Sequence, residues 1–109
     1  MKVTFRSLSS TLIAIGAAAA LTTGAWAADA AAGKTLFASK CKGCHGADGT
    51  PPPAMAKAMG VKPLNDPSIQ GKSDSDLKDA ILKGVGKMKA QSVSPADADN
   101  LVAAVRTMK

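Results

Sequence analysis

The chain has 109 residues and a formal net charge of +6, with one Trp, two Phe and no Tyr. With so few aromatic residues and no dense cluster of Lys and Arg, the chain is not expected to bind nucleic acid. The length allows one small domain.

The first 27 residues have the organisation of a secretory signal peptide. Lys2 and Arg6 precede a long uncharged, alanine-rich run that closes on the small-residue pattern AWA at residues 25–27. A retained membrane anchor is the alternative, because the run is long enough to span a bilayer. Its small residues and its ending favour cleavage after residue 27. The sequence therefore predicts a periplasmic protein that loses residues 1–27, keeps residues 28–109 as its domain, and has no stable membrane insertion after cleavage.

The predicted domain has few large apolar side chains with which to build a hydrophobic core. Residues 28–109 keep twelve basic residues against all eight acidic ones, which gives +4, and Phe37 is their only aromatic residue. A domain of this size usually needs a disulfide, a metal or a bound cofactor for stability. A disulfide between Cys41 and Cys44 would close too small a loop to contribute much. The composition therefore predicts a large apolar group that is not part of the polypeptide.

The first half of the domain contains two predicted helices. Asp29 is suited to cap a helix that runs to about Lys40. A short helix from Ala54 to Met59 ends before a glycine, and the following residues 61–70 are predicted to be a loop because of their prolines.

The second half contains two helices with clear start signals. Ser73 caps a helix that ends at Gly84, and a second loop follows. Ser94 and Pro95, a cap followed by proline, begin the last helix. No segment has the pattern of a strand. The predicted fold class is therefore all-α, with three to four short helices and long loops of the kind that enclose a bound group.

Residues 41–45 read CKGCH and carry the chemistry of the chain. Structural zinc needs four ligands, and the chain has no Cys or His besides Cys41, Cys44 and His45. A redox dithiol normally lies beside a βαβ sheet, and no strand is predicted. Covalent haem attachment uses all three residues, because thiols at i and i+3 lie on one side of a turn and the next residue can bind the iron. We therefore predict one haem c, bound through Cys41 and Cys44, with His45 as an axial ligand.

Three segments of the chain resemble a small bacterial class I c-type cytochrome with a single haem. They read GKTLFASKCKGCHGADGT, SDSDLKDAILKGVGKMKA and SPADADNLVAAVRTMK, and the resemblance extends from about Gly33 to the C-terminus. It implies a class I cytochrome c-like bundle wrapped around one covalent haem. Gly33 and Phe37 match the pair by which the first helix packs on the last one. The family often has an aromatic residue where this chain has Ala104, so we expect a looser contact here.

The resemblance also concerns the surroundings of the haem. The family has a proline whose carbonyl accepts a hydrogen bond from the ligand imidazole, and a bond of this kind sets the tautomer of a ligand His. The candidates here are Pro51, Pro52 and Pro53. The other pocket candidates follow from apolar position and family order. They are Leu36, Phe37, Leu64, Ile81, Val85 and Leu101.

Met88 is the predicted second axial ligand. It lies in a glycine-containing loop, far along the chain from His45, and the resemblance points to the same residue. Met55, Met59 and Met108 are expected in the core. The alternatives for the sixth position are a flanking lysine, another Met or no protein ligand. A thioether ligand raises the reduction potential.

The predicted function is one-electron transfer between Fe(II) and Fe(III), without enzymatic activity, by a monomer. A gas sensor or peroxidase-like protein with a labile sixth ligand is one alternative, and an electron-transfer subunit of a larger oxidoreductase is another. Lys42, Lys87 and Lys89 are expected around the exposed haem edge. Lysines there would steer a redox protein with an acidic docking surface.

Overall fold

The structure, a computed structural model, describes residues 28–109; the predicted signal peptide lies outside the described residues. Within this part no strand occurs, and one isolated antiparallel bridge joins Val85 to Met88. The all-α prediction is confirmed. Four longer helices and two single turns, α2 and α4, make up the fold. In chain order they are α1 (Ala30–Lys40), α2 (Lys42–His45), α3 (Pro53–Met59), α4 (Pro67–Gln70), α5 (Asp74–Lys83) and α6 (Pro95–Arg106).

The three predicted capping side chains each begin a helix. The Asp29 carboxylate accepts hydrogen bonds from the N–H groups of Ala31 and Ala32, at 2.9 and 3.1 Å. The hydroxyls of Ser73 and Ser94 each accept from the N–H group three residues later, both at 3.0 Å. These bonds satisfy backbone N–H groups that have no partner within the first turn of a helix.

The segment 61–70 is not all loop, so that prediction is wrong for its last four residues. They form α4, which Asp66 caps by accepting from the backbone N–H and the hydroxyl of Ser68, at 2.8 and 2.6 Å. Pro67 occupies the first helical position. A cap followed by proline is a helix start signal, but four residues are too few to display a repeating apolar face.

The closest helix contact joins α1 to α6. A Cβ atom at Gly33 would lie 1.8 Å from the carbonyl oxygen of Asn100 and 3.0 Å from the Cβ of Ala104. Ala104 is fully buried. The expectation of a looser contact is therefore wrong, because small residues on both helices let the two backbones approach closely. The Asn100 side chain adds a bond, since its Oδ1 accepts from the N–H of Asp29 at 2.7 Å.

One hydrophobic cluster connects α1, α5 and α6. Apolar side chains at helical spacing on α5 and α6 both contribute to it. These helices and the loops between them form a frame that leaves a cavity at its centre. The buried members of the cluster are Phe37, Leu64, Leu77, Ile81, Ala98, Leu101, Val102 and Val105.

Candidate functional site

The cavity has a volume of about 630 Å³, within the range of protein ligand pockets. Its walls are mostly apolar and come from the ends of α1 and α2, the segment 59–72, α5, the loop after α5, and α6. The structure places many of the sequence-predicted site residues on these walls. They are Phe37, Cys41, Cys44, His45, Leu64, Ile81, Val85, Met88 and Leu101.

Four predicted pocket residues do not line this cavity. Leu36 is half-buried and packs against the hydrophobic cluster. Pro51 is buried away from the cavity walls, and Pro52 and Pro53 are exposed. Pro53 instead begins α3. These four residues therefore differ from the other pocket candidates, all of which line the cavity.

The CKGCH motif forms a single helical turn directly after α1. The N–H groups of Cys44 and His45 both donate to the carbonyl of Cys41, at 3.3 and 3.0 Å. Gly46, with φ of 75°, ends the turn. Cys41 is half-buried, Cys44 is exposed, and both thiols are free. Because i and i+3 positions share one side of a helical turn, both sulfur-bearing residues and the adjacent imidazole reach the same cavity.

His45 is held as a neutral imidazole on the cavity wall. Burial lowers its pKa, so the ring is uncharged at pH 7 and keeps a lone pair for a ligand bond. The Phe37 ring lies beside it, with ring centroids 6.2 Å apart. Nδ1 is buried and has no hydrogen-bond partner within residues 28–109, so none of the three proline carbonyls bonds to it.

The same geometry bears on the two other interpretations of the motif. Burial raises the pKa of the Cys41 thiol, Lys40 opposes the rise, and Cys44 adds to it. A reactive dithiol needs the opposite shift, toward the thiolate. For zinc, no group of three or more Cys, His and acidic side chains in the described part of the chain is arranged to hold a metal ion. The first observation argues against a reactive dithiol, and the second argues against zinc.

Met88 is presented by a tight turn at the end of α5. Val85 and Met88 exchange two backbone hydrogen bonds, of 3.0 and 2.9 Å. The turn between them needs a positive φ, which Gly86 supplies at 55°. The N–H of Gln91 donates to the carbonyl of Ile81 at 2.8 Å and fixes the turn against the helix. The predicted glycine loop is therefore a defined structure with its Met on the cavity wall.

Comparison with known proteins decides the family. The family model described as "Cytochrome c" matches residues 30–109, which include the CKGCH turn and the whole cavity. The chain belongs to the cytochrome c family. This membership makes it an electron-transfer haem protein and implies haem c as its cofactor.

Solved structures support the same assignment for this cytochrome. The "KustC0563 c-type cytochrome" has a TM-score of 0.63 at 30% identity, covering 71% of this chain and 96% of that chain. A point mutant of Kustc0563 has a TM-score of 0.60 at 31% identity, covering 71% of this chain and 98% of that one. No curated protein matches the chain. The predicted resemblance to a small class I c-type cytochrome is confirmed.

The residues on the walls fit the haem that the family implies. Cys41 and Cys44 match the spacing of a c-type attachment motif, and His45 follows at once. A thioether, that of Met88, lies on another wall of the same cavity. The apolar walls suit a large apolar cofactor.

Within residues 28–109, no helix is both long and apolar enough to cross a membrane.

Several residues on the cavity walls were missed by sequence reasoning. Met59 was expected in the core, but it lines the cavity and is 39% exposed. The apolar faces of α5 and α6 had a signal in their spacing, whereas the loop residues had none. The missed residues are Met59, Gly60, Val61, Lys62, Ile69, Lys72, Leu77, Ala80, Gly86, Gln91, Val102 and Val105, together with Lys40.

All charged residues on the cavity walls are lysines. Each of them is exposed, so they surround the mouth of the cavity, and all eight Asp residues of the chain lie elsewhere. The mouth is therefore more basic than the rest of the described surface. The lysines are Lys40, Lys62, Lys72, Lys87 and Lys89.

Proposed function

We propose that this cytochrome is a periplasmic one-electron carrier with a haem c bound through Cys41 and Cys44 and with His45 and Met88 as axial ligands. One observation carries the proposal: two free thiols, a neutral imidazole and a thioether converge on one apolar cavity. When bound, the haem supplies one-electron chemistry between Fe(II) and Fe(III).

Each residue has a defined task in this proposal. Cys41 and Cys44 anchor the cofactor on a rigid turn. His45 is kept neutral by burial, and Phe37 packs beside its ring and limits its rotation. Met88 is held by a closed turn, so the ligand set can stay unchanged through the redox cycle. If His45 and Met88 both bind the iron, no position would remain open for a substrate, which favours a carrier over an enzyme.

An absorption spectrum tests the proposal directly. The protein is made with periplasmic haem maturation and is measured oxidised, reduced, and reduced with carbon monoxide. We expect haem that resists acid extraction, a sulfur-to-iron band in the oxidised protein, and no response to carbon monoxide. Ready binding of carbon monoxide would instead support the gas-sensor or peroxidase-like alternative. Absence of covalent haem would remove the basis of the proposal.

Two matched variants test the identity of the sixth ligand. Met59 and Met88 are the two methionines that line the cavity, so Met59→Leu is the control for Met88→Leu. We expect Met88→Leu to abolish the sulfur-to-iron band and to lower the reduction potential. Met59→Leu should preserve the band. The opposite result would move the ligand to Met59.

The proposed partner is a redox protein with an acidic docking surface. Lys87 and Lys89 lie at the cavity mouth, and Lys42 is exposed on the adjacent turn. Val85 and Met59, exposed by 59% and 39%, are large apolar residues on the same walls. An apolar centre within a polar rim is typical of protein interfaces, and the charges of the rim act mainly on the association rate.

Charge-matched variants test this docking surface. Lys87→Gln with Lys89→Gln removes two charges at the mouth, and Lys34→Gln with Lys109→Gln removes two charges outside it. We expect only the first pair to slow electron transfer to an acidic partner at low salt, with the difference disappearing at high salt. Equal rates for the two pairs would contradict steering by these lysines.

A further inference from the structure

Arg106 is the only arginine within residues 28–109 and lies in the last turn of α6. Its guanidinium contacts three successive parts of the chain. Nη1 donates to the carbonyl of Gln70 at 2.8 Å, and Nη2 donates to the carbonyl of Lys72 at 2.5 Å. Nε and Nη2 both reach Oδ1 of Asp74, at 2.9 and 2.8 Å. One side chain thus ties the end of α4, the following connection and the start of α5 to α6.

The side chain of Gln70 extends the same network. Its Nε2 donates to the carbonyl of Leu64 at 2.8 Å and to the carbonyl of Val105 at 3.0 Å. Its Oε1 lies 3.4 Å from Nη1 of Arg106. Gln70 and Arg106 together form what we call the clamp, and it joins both ends of the segment 64–72 to the last helix.

The clamped segment is one wall of the cavity. Leu64, Ile69 and Lys72 all line it. Its only helix, α4, is a single turn, too short to hold the segment by helix packing alone. Hydrogen bonds from a guanidinium are charge-assisted and stronger than neutral ones. The planar fork with five donors is also specific to arginine, so a lysine cannot reproduce these contacts.

We propose that Arg106 and Gln70 are positioning residues for the cofactor cavity, which hold the segment 64–72 in place and thereby keep water away from the haem. The inference rests on the proposed function. Neither side chain lines the cavity, so both act through the residues that do. A loosened wall admits water, and water stabilises the more highly charged Fe(III) state. Loss of the clamp therefore lowers the reduction potential, since burial is one of the determinants of haem potentials.

Two variants remove the clamp without changing the net charge. Arg106→Lys keeps the positive charge but loses the fork, and Gln70→Met keeps the length of the side chain but loses its polar atoms. The control is the double variant Lys78→Gln with Asp99→Asn. It also conserves the net charge, and it removes the ion pair that joins α5 to α6 with Nζ 3.0 Å from Oδ1. Neither residue of this pair lines the cavity.

The measurements are the midpoint potential of the haem-loaded protein and amide hydrogen exchange within residues 64–72. For both clamp variants we expect a lower potential and exchange faster by about tenfold or more, which corresponds to about 1.4 kcal/mol and is close to one hydrogen bond to a charged group. Combining the two variants should add little, because both act through one network. The control should leave both quantities unchanged.

The outcomes separate this inference from the proposed function. Faster exchange in the clamp variants with an unchanged potential overturns the inference and leaves the electron-carrier proposal intact. Equal effects of the clamp variants and the control also overturn it, since the clamp would then be ordinary structural bonding. If Arg106→Lys fails to fold, Gln70→Met still decides between these results. Failure of the unmodified protein to hold covalent haem refutes the proposed function itself.

Discussion

The contact between α1 and α6 and the cavity wall at residues 59–91 are held together in different ways. The first is a direct approach of two helices, made possible by Gly33 and Ala104. The second consists of short helices and turns. Side chains such as Arg106 and Gln70 join them by donating hydrogen bonds to backbone carbonyls. In the first region, the surfaces of α1 and α6 fit each other directly. The second turns its apolar residues toward a cavity, so it depends on a group that the polypeptide does not contain.

The largest expected effect comes from disturbing the helix contact. In Gly33→Val, the new Cβ would lie only 1.8 Å from the carbonyl oxygen of Asn100. Helices α1 and α6 would therefore have to move apart. We expect a loss of more than about 3 kcal/mol, the upper end for ordinary overpacking, measured by urea unfolding. Gly43→Ala is the control, because a Cβ there has no atom within 4 Å. Similar stabilities for the two variants would contradict the close contact.

Leu101 connects the two regions, since it is 1% exposed and belongs to both the core cluster and the cavity wall. Leu101→Ala should cost about 3 kcal/mol in the haem-loaded protein, a typical value for a buried leucine. The haem spectrum should also change, because the lost side chain faces the cavity. An unchanged spectrum with the full loss of stability would assign Leu101 to the helix core alone.

Helix caps allow a finer comparison of the two regions. Ser94→Ala removes the cap of α6, and Ser73→Ala removes the cap of α5. Each should cost about 1 kcal/mol in the haem-loaded protein. In protein without haem we expect only Ser94→Ala to retain its effect, because α6 keeps α1 as a partner whereas α5 lines the cavity with Leu77 and Ile81. Urea unfolding of both forms measures this. Equal losses in both forms would show that α5 is independent of the cofactor.

The smallest expected effect is a pH dependence at α4. Hydrogen bonds from the hydroxyl and then the N–H of Ser68 lower the pKa of Asp66. A lowered carboxyl pKa contributes stability above the unfolded value of about 3.9, and this contribution is lost as the pH falls through the folded value. Ser68→Ala should therefore be less stable than the unmodified protein at neutral pH, and the difference should shrink in acid. Ser39→Ala, whose hydroxyl bonds only to the Leu36 carbonyl, should show a difference that does not depend on pH.

Much of this architecture is predictable from sequence, and the exceptions share a physical cause. Three helices with a capping side chain, α1, α5 and α6, begin where Asp29, Ser73 and Ser94 indicated. The CKGCH motif identified one wall of the cavity by residue type and spacing alone. The position of Met59 had no such signal, because it depends on how the loops fold. Those loops are placed by bonds to backbone carbonyls, which any residue carries, so the sequence pattern does not display them.

The contact between α1 and α6 can form only after most of the domain has been synthesised. The Asp29 N–H and the Asn100 side chain that it binds are 71 residues apart, so this contact has to wait until nearly the whole domain has left the ribosome or crossed a membrane. Contacts between such distant residues also slow folding, because closing a long loop costs entropy. Residues 41–45 emerge early by comparison, since chains are made N-terminus first. For that interval the two thiols are open to covalent chemistry, and the helix that completes the cavity arrives only afterwards.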